Sequence, residues 1–185
     1  PDAAAVESAS LVENPSTIVI DTSTAHRVCE GWEYGFPELA GRRAGIASSK
    51  RIANPGCHAT GFIALVEPLV GRGLVSASEI LCAFSLTGYS GGGAKMVAAY
   101  EEPARSALFE GGRQYALGQT HKHLPEMVAV CGLENAPLFS PVVVPHYSGM
   151  EVTIMLPGRN PREIGECYRD YYREGLVKFV ESDDG

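Results

Sequence analysis

The sequence predicts an α+β fold: a mixed, largely antiparallel sheet with helices on one face. Three observations lead there. An apolar stretch of helical length, Phe62 to Val70, follows the break at Pro55-Gly56; apolar runs of strand length recur at 79–86, 139–146 and 150–156; and the chain opens with a helix-then-strand unit. In order, Ala3 to Leu11 reads as a short helix, Asn14-Pro15 as a turn and Thr17 to Ile20 as a strand, with Ile18-Val19-Ile20-Asp21 resembling a buried one. Residues 21–49 mix Gly, Ser, Arg and aromatics without a period, which predicts an irregular connection displaying polar groups. A helix from Cys57 to about Val70 leads through Gly71-Arg72-Gly73 to the strand Glu79 to Leu86. The glycine-rich loop Thr87 to Lys95 then opens a helix from Met96 to about Ala107. Phe139 to His146 and Met150 to Leu156 read as two strands joined tightly through Tyr147-Ser148-Gly149, and Arg162 to Glu174 as a closing helix.

At 185 residues and 45% hydrophobic content the chain has material for a sizeable core. Its formal charge of −7, without a long lysine-arginine cluster, argues against a nucleic-acid partner. No apolar run has the length of a bilayer span, so no membrane association is expected. Five cysteines, odd in number and widely spread, form no C-x-x-C pair and follow no signal-like start, which predicts a reduced, cytoplasmic chain. The opening at Pro1 without Met, and a first strand whose sheet partners must lie elsewhere, predict a fragment of a longer protein.

The most informative run is Asn54-Pro55-Gly56-Cys57-His58-Ala59-Thr60-Gly61. It sets a thiol in the first turn of a helix, where unpaired backbone N–H groups and the positive end of the dipole favour a thiolate and an oxyanion beside it. The plain alternative is a small Cys packing a helix start. His121-Lys122-His123-Leu124-Pro125-Glu126 brings two imidazoles and a carboxylate, and one imidazole within reach of Cys57 would make an activated nucleophile. An exposed polar turn is the plain alternative there. A metal site with Cys131 is disfavoured, because no four ligands have zinc spacing.

The loop Ser90-Gly91-Gly92-Gly93 departs from the phosphate-loop pattern, since Ala94 intervenes before Lys95, and it lacks G-x-G-x-x-G. Its three glycines can still present N–H groups to a phosphate oxygen. Asp21 to Arg27 follows the first strand directly, where α/β folds place ligand contacts, and Arg27 suits two-point recognition of a carboxylate or phosphate.

Together Asp21-Thr22-Ser23-Thr24-Ala25-His26-Arg27, Tyr34-Gly35-Phe36-Pro37-Glu38, Asn54-Pro55-Gly56-Cys57, the Ser90 to Gly93 loop and His121 to Glu126 resemble the N-acetyl-gamma-glutamyl-phosphate reductase family, in its shorter, type 2 variety. That family groups with the aspartate-semialdehyde and glyceraldehyde-phosphate dehydrogenases. The resemblance implies NADPH-dependent reduction of N-acetyl-glutamyl 5-phosphate to the semialdehyde, in arginine biosynthesis, through a Cys57 thioester. It implies His121 as the acid-base group, with His123 second; Arg27, Asn54 and Lys95 toward substrate and phosphate; and Ser23, Ser90, Gly91, Gly92 and Gly93 toward NADP(H). No metal is implied. A homo-oligomer, dimer or tetramer, is expected, with strands such as Val142-Val143-Val144 available to pair subunits.

The resemblance also implies a division: residues 1–35 as the end of a Rossmann-type nucleotide-binding domain with the active-site loop, and 36–185 as the catalytic and dimerisation domain. The family's dinucleotide fingerprint is missing from this sequence, so poor NADPH affinity and little turnover are expected of the 185 residues alone. Two other readings stay open. A Cys-His hydrolase or acyltransferase needs the same thiol and imidazole without a hydride carrier, and in a dimerising or anion-binding module Cys57 would only pack a helix start.

Overall fold

The computed structural model describes residues 2–181. Helix α1 (Asp2–Ser10) precedes β1 (Val19–Asp21), β2 (Glu33–Tyr34), α2 (Arg42–Ser48) and β3 (Arg51–Ala53). These strands form a small parallel sheet in the order β1-β3-β2. β1 is an edge strand in which Ile20, like Ile18 just before it, is exposed and Asp21 is the buried member, which corrects the expectation of a buried strand. The connection expected to be irregular holds β2 and α2, both too short to leave a sequence period.

Helix α3 (Cys57–Gly71) runs one turn past an interior proline. Its inner stripe, Ala59, Phe62, Ile63, Val66 and Leu69, is fully buried, and each large side chain there contributes about 1.5–3 kcal/mol. Pro68 has no N–H, so the carbonyl of Ala64 loses its helical partner. The Tyr172 hydroxyl donates to that carbonyl at 2.7 Å and the Tyr168 hydroxyl to Leu65 O at 2.6 Å. The proline thus becomes a docking point for α6 (Pro161–Tyr171), which is capped by Asn160.

The main sheet joins β4 (Cys82–Gly88), β5 (Arg113–Gln114), β6 (Leu138–Val144) and β7 (Met150–Met155) in the order β5-β6-β4-β7. Two pairings are antiparallel and the central β4–β6 pairing is parallel. The tight hairpin expected between β6 and β7 is therefore corrected: β4 lies between them. Residues 146–149 close over its end, where Gly88, Tyr89 and Ser90 donate N–H bonds to the carbonyls of Gly149, His146 and Tyr147.

α3 and α5 (Leu124–Cys131) pack against each other, and α3 also packs on β7. Gly61 makes the α3–β7 approach possible, because a Cβ there would sit 2.5 Å from a Val152 methyl. α4 (Ala94–Glu101) is shorter than expected and ends before Pro103. In β6, Val143 is buried toward the helices while Val142 and Val144 lie on the opposite face.

Candidate active site

Cys57 is the first residue of α3 and its side chain is exposed. The backbone just before it is pinned on both sides. The Gly56 N–H donates to Glu126 Oε2 at 3.0 Å, and the Gly56 carbonyl accepts from the Thr60 N–H at 2.8 Å and the Thr60 hydroxyl at 2.9 Å. Glycine at 56 leaves room for this arrangement, since a Cβ there would come within 2.4–2.5 Å of His123 Nε2, Arg27 Nη1 and Glu126 Oε1 and displace them. The first turn of α3 leaves N–H groups without intrahelical acceptors beside the thiol.

Arg27 is buried, and three of its N–H groups are spent inside the protein. Nη1 donates to Glu126 Oε1 at 2.7 Å, Nε to the Asn54 carbonyl at 3.0 Å and Nη2 to the Thr22 carbonyl at 3.4 Å. Its guanidinium is therefore bound to Glu126 rather than fully free for an anion, while its surface still reaches the cavity.

Three imidazoles gather next to the thiol, with ring centroids 5.4 Å (His58–His121), 5.7 Å (His58–His123) and 4.6 Å (His121–His123) apart. The Ser85 hydroxyl gives its one proton to the Glu151 carbonyl, so it accepts from His58 Nδ1, 2.8 Å away. His58 Nε2 then accepts from the Tyr115 hydroxyl at 2.7 Å. Burial, then the neighbouring His121, pushes His58 down to about 4. Burial, seconded by nearby Cys57, pushes Tyr115 up to about 12. The backbone N–H of His123 donates to His121 Nδ1 at 3.2 Å, so neutral His121 carries its proton on Nε2. Burial, then Lys122, lowers His121. Burial, then His121 and Arg27, takes buried His123 down to about 3.

These groups line one cavity of about 370 Å³, with Arg27, Asn54, Cys57, His121 and His123 in its wall beside Gly91 and Gly92. Lys95 is not among them. Ala94 already begins α4, which leaves Lys95 exposed while Met96 takes the cavity side. Ser90 and Gly93 also stand outside this lining. Ser23 belongs to a second hollow with Asp21 and Thr24, which meets the first at Thr22, Arg27 and Lys122. Asp21 accepts from the Ser23 N–H and hydroxyl and pairs with His26, itself stacked on Trp32. Ser85 and Tyr115 carry no sequence signal of their own. His58 and Glu126 stand inside informative motifs, but only the fold reveals their partners. Among the described residues no three His, Cys, Asp or Glu side chains converge as metal ligands.

A mixed sheet covered by a helix that begins at an exposed thiol makes this an α+β domain with a candidate nucleophile at a helix start. The chain belongs to the semialdehyde dehydrogenase dimerisation-domain family, whose model matches residues 57–184. It is 44% identical over 181 residues to an N-acetyl-gamma-glutamyl-phosphate reductase of Chelativorans sp. (strain BNC1), covering 93% of this chain and 57% of that protein. It is 40% identical over 180 residues to N-acetyl-gamma-glutamyl-phosphate reductase 2 of Pseudomonas putida, covering 94% and 57%. The chain thus spans a little over half the length of these curated relatives. Among solved structures, aspartate semialdehyde dehydrogenase II from Vibrio cholerae shares the fold with a TM-score of 0.57 at 16% identity, over 81% of this chain and 52% of that one.

Proposed function

We propose that the chain is the catalytic part of an N-acetyl-gamma-glutamyl-phosphate reductase, a step of arginine biosynthesis. The observation that carries this reading is the meeting of Cys57, at the first turn of α3, with His121 and His123 in one cavity. The names of the relatives supply the substrate, N-acetyl-glutamyl 5-phosphate.

In the forward direction the Cys57 thiolate attacks the acyl carbon. The C–S bond forms, the bond to the phosphate oxygen breaks, and phosphate leaves a thioester on Cys57. His121 takes the acid-base role ahead of His123, because it is half-exposed and can exchange its proton, whereas His123 is buried and stays neutral far into acid. Its Nε2–H is the donor for the carbonyl oxygen as negative charge builds there, with the N–H groups of the first turn of α3. Once hydride has reached the thioester carbon, the C–S bond breaks, the aldehyde leaves and the thiolate is restored.

NADP(H) supplies that hydride when bound. The residues present fit one end of a dinucleotide: Ser23 faces the second hollow at the carboxyl end of β1, and Gly91 and Gly92 offer backbone without side chains in the catalytic cavity. β3 is the middle strand of the small sheet, so we draw the division between nucleotide-binding and catalytic parts after Ala53 rather than at residue 35. A homo-oligomer and a cytoplasmic location complete the reading. The dimerisation-domain match supports the first, and five unpaired thiols the second. Among the described residues no helix is long and apolar enough to cross a membrane.

The test is the alkylation of Cys57 by iodoacetamide in wild-type, His121→Ala and His123→Ala chains, with Cys29 and Cys82 as exposed thiols in the same molecule. Cys57 is expected to react fastest, and His121→Ala to slow it more than His123→Ala. Labelling of Cys57 no faster than Cys82, indifferent to both substitutions, contradicts a catalytic thiol.

A further inference from the structure

Glu126 is 1% exposed, yet it is the meeting point of four separate segments. From the first turn of α5 its Oε1 accepts from Arg27 Nη1 at 2.7 Å, while Oε2 accepts from the Tyr34 hydroxyl at 2.7 Å and from the Gly56 N–H at 3.0 Å. Packing alone does not call for a carboxylate at this place. A buried ion pair is often replaceable by apolar residues of similar volume at no loss of stability, and Met127, the next residue on α5, is fully buried as such a residue. What distinguishes the site is its address. The one amide that Glu126 fixes belongs to the residue before the thiol, and the cation it holds lies against the same Gly56.

We propose that Glu126 is the positioning residue of the nucleophile: paired with Arg27, it anchors the Gly56 amide, and thereby sets both the direction of Cys57 from the start of α3 and the charge balance around its sulfur. The inference rests on the reading of Cys57 as the nucleophile. The remaining titratable or charged groups facing Cys57 across the cavity are His58, Tyr115, His121, Lys122 and His123. The three imidazoles are neutral at pH 7, since burial lowers each of them. That leaves Lys122 and the Arg27–Glu126 pair as the charges acting on the thiol. While the pair is intact, its carboxylate offsets its guanidinium. Losing Glu126 leaves Cys57 beside a bare guanidinium and a loosened Gly56; losing Arg27 removes the cation and leaves the carboxyl group.

Three variants separate charge from reach. Glu126→Gln removes the charge, Arg27→Met removes its partner, and Glu126→Asp keeps the charge but draws it back by one methylene. The readout is the pH profile of Cys57 alkylation by iodoacetamide relative to Cys29 in the same chain. Glu126→Gln is expected to move the profile to lower pH and Arg27→Met to higher pH, each by about one unit, the size of effect a close charge exerts. Glu126→Asp is expected to leave the profile in place and slow the reaction several-fold at every pH. Profiles and rates that all superpose on wild type, with only the melting temperatures lowered, overturn the proposal and reduce Glu126 to a brace. Should Glu126→Gln not fold, Glu126→Asp and Arg27→Met decide by the same criteria. A wild-type Cys57 that reacts no faster than Cys29 counts instead against the nucleophile reading itself.

Discussion

His58 occupies the position after the thiol, and its hydrogen bonds explain why an imidazole sits there. Both ring nitrogens are engaged, Nδ1 by Ser85 and Nε2 by Tyr115, so it acts as a fixed neutral spacer that aims the phenol at the cavity. Neutrality has a consequence for stability. In the unfolded chain a histidine titrates near its ordinary value of 6.5, whereas folded His58 titrates at about 4 and His123 at about 3. Between those values the unfolded state binds more protons, so stability rises with pH through this window and is lost as pH falls below about 6.5. Each histidine contributes on the order of a few kcal/mol across its window. The melting temperature is therefore expected to drop markedly from pH 7 to pH 5, before carboxylate titration begins, and to drop less in His58→Gln. A melting temperature flat over that interval contradicts the neutral cluster. At this scale the sequence was partly readable. Cys57, His121 and His123 announce themselves through neighbours in the chain, whereas the partners of Glu126 lie 70 to 99 residues away and Tyr115 meets His58 across 57.

Among the elements, α3 was the most legible, because its apolar stripe and the Pro-Gly break both mark its start. β6 and β7 are legible as strands, but their separation by β4 is not. Apolar patterning identifies a strand and a short connection suggests a hairpin, yet neither records that β4 pairs on one side with β6 and on the other with β7. β2 and β5, two residues each, are too short to leave any pattern. The sheet register defines a face turned away from the helices, where Cys82 stands between Leu138 and Met155, and Leu86 beside Val142. Leu138 is 53% exposed and Met155 57%, an apolar row suited to a second copy of the chain. A Leu138→Lys/Met155→Lys double variant should stay folded, since both side chains are already half in water. It is expected to sediment as a monomer where the wild-type chain self-associates; unchanged self-association would place the contact on another face.

For the whole molecule, the cavity that holds Cys57 lies where the small parallel sheet meets the helix-covered main sheet. The loop after β1 brings Thr22 and Arg27, α3 brings Cys57, and the segment before α5 brings the two histidines. The architecture explains why four of the five scattered motifs belong together, for each puts residues into the wall of this cavity, while the fifth, Tyr34 to Glu38, reaches it only through the Tyr34 hydroxyl on Glu126. The reading also makes acylation separable from reduction, because the thioester forms without a hydride carrier. Little complete turnover is expected of these 185 residues, which span 57% of the length of the matched relatives, but the first half-reaction uses groups that the chain holds itself. The most direct measurement is intact mass spectrometry of the chain mixed with N-acetyl-glutamyl 5-phosphate in the absence of NADPH, with release of phosphate followed in parallel. One acyl group on Cys57 and one phosphate released per chain are expected, and neither in Cys57→Ala. No adduct, or steady hydrolysis of the acyl phosphate without NADPH, would contradict it.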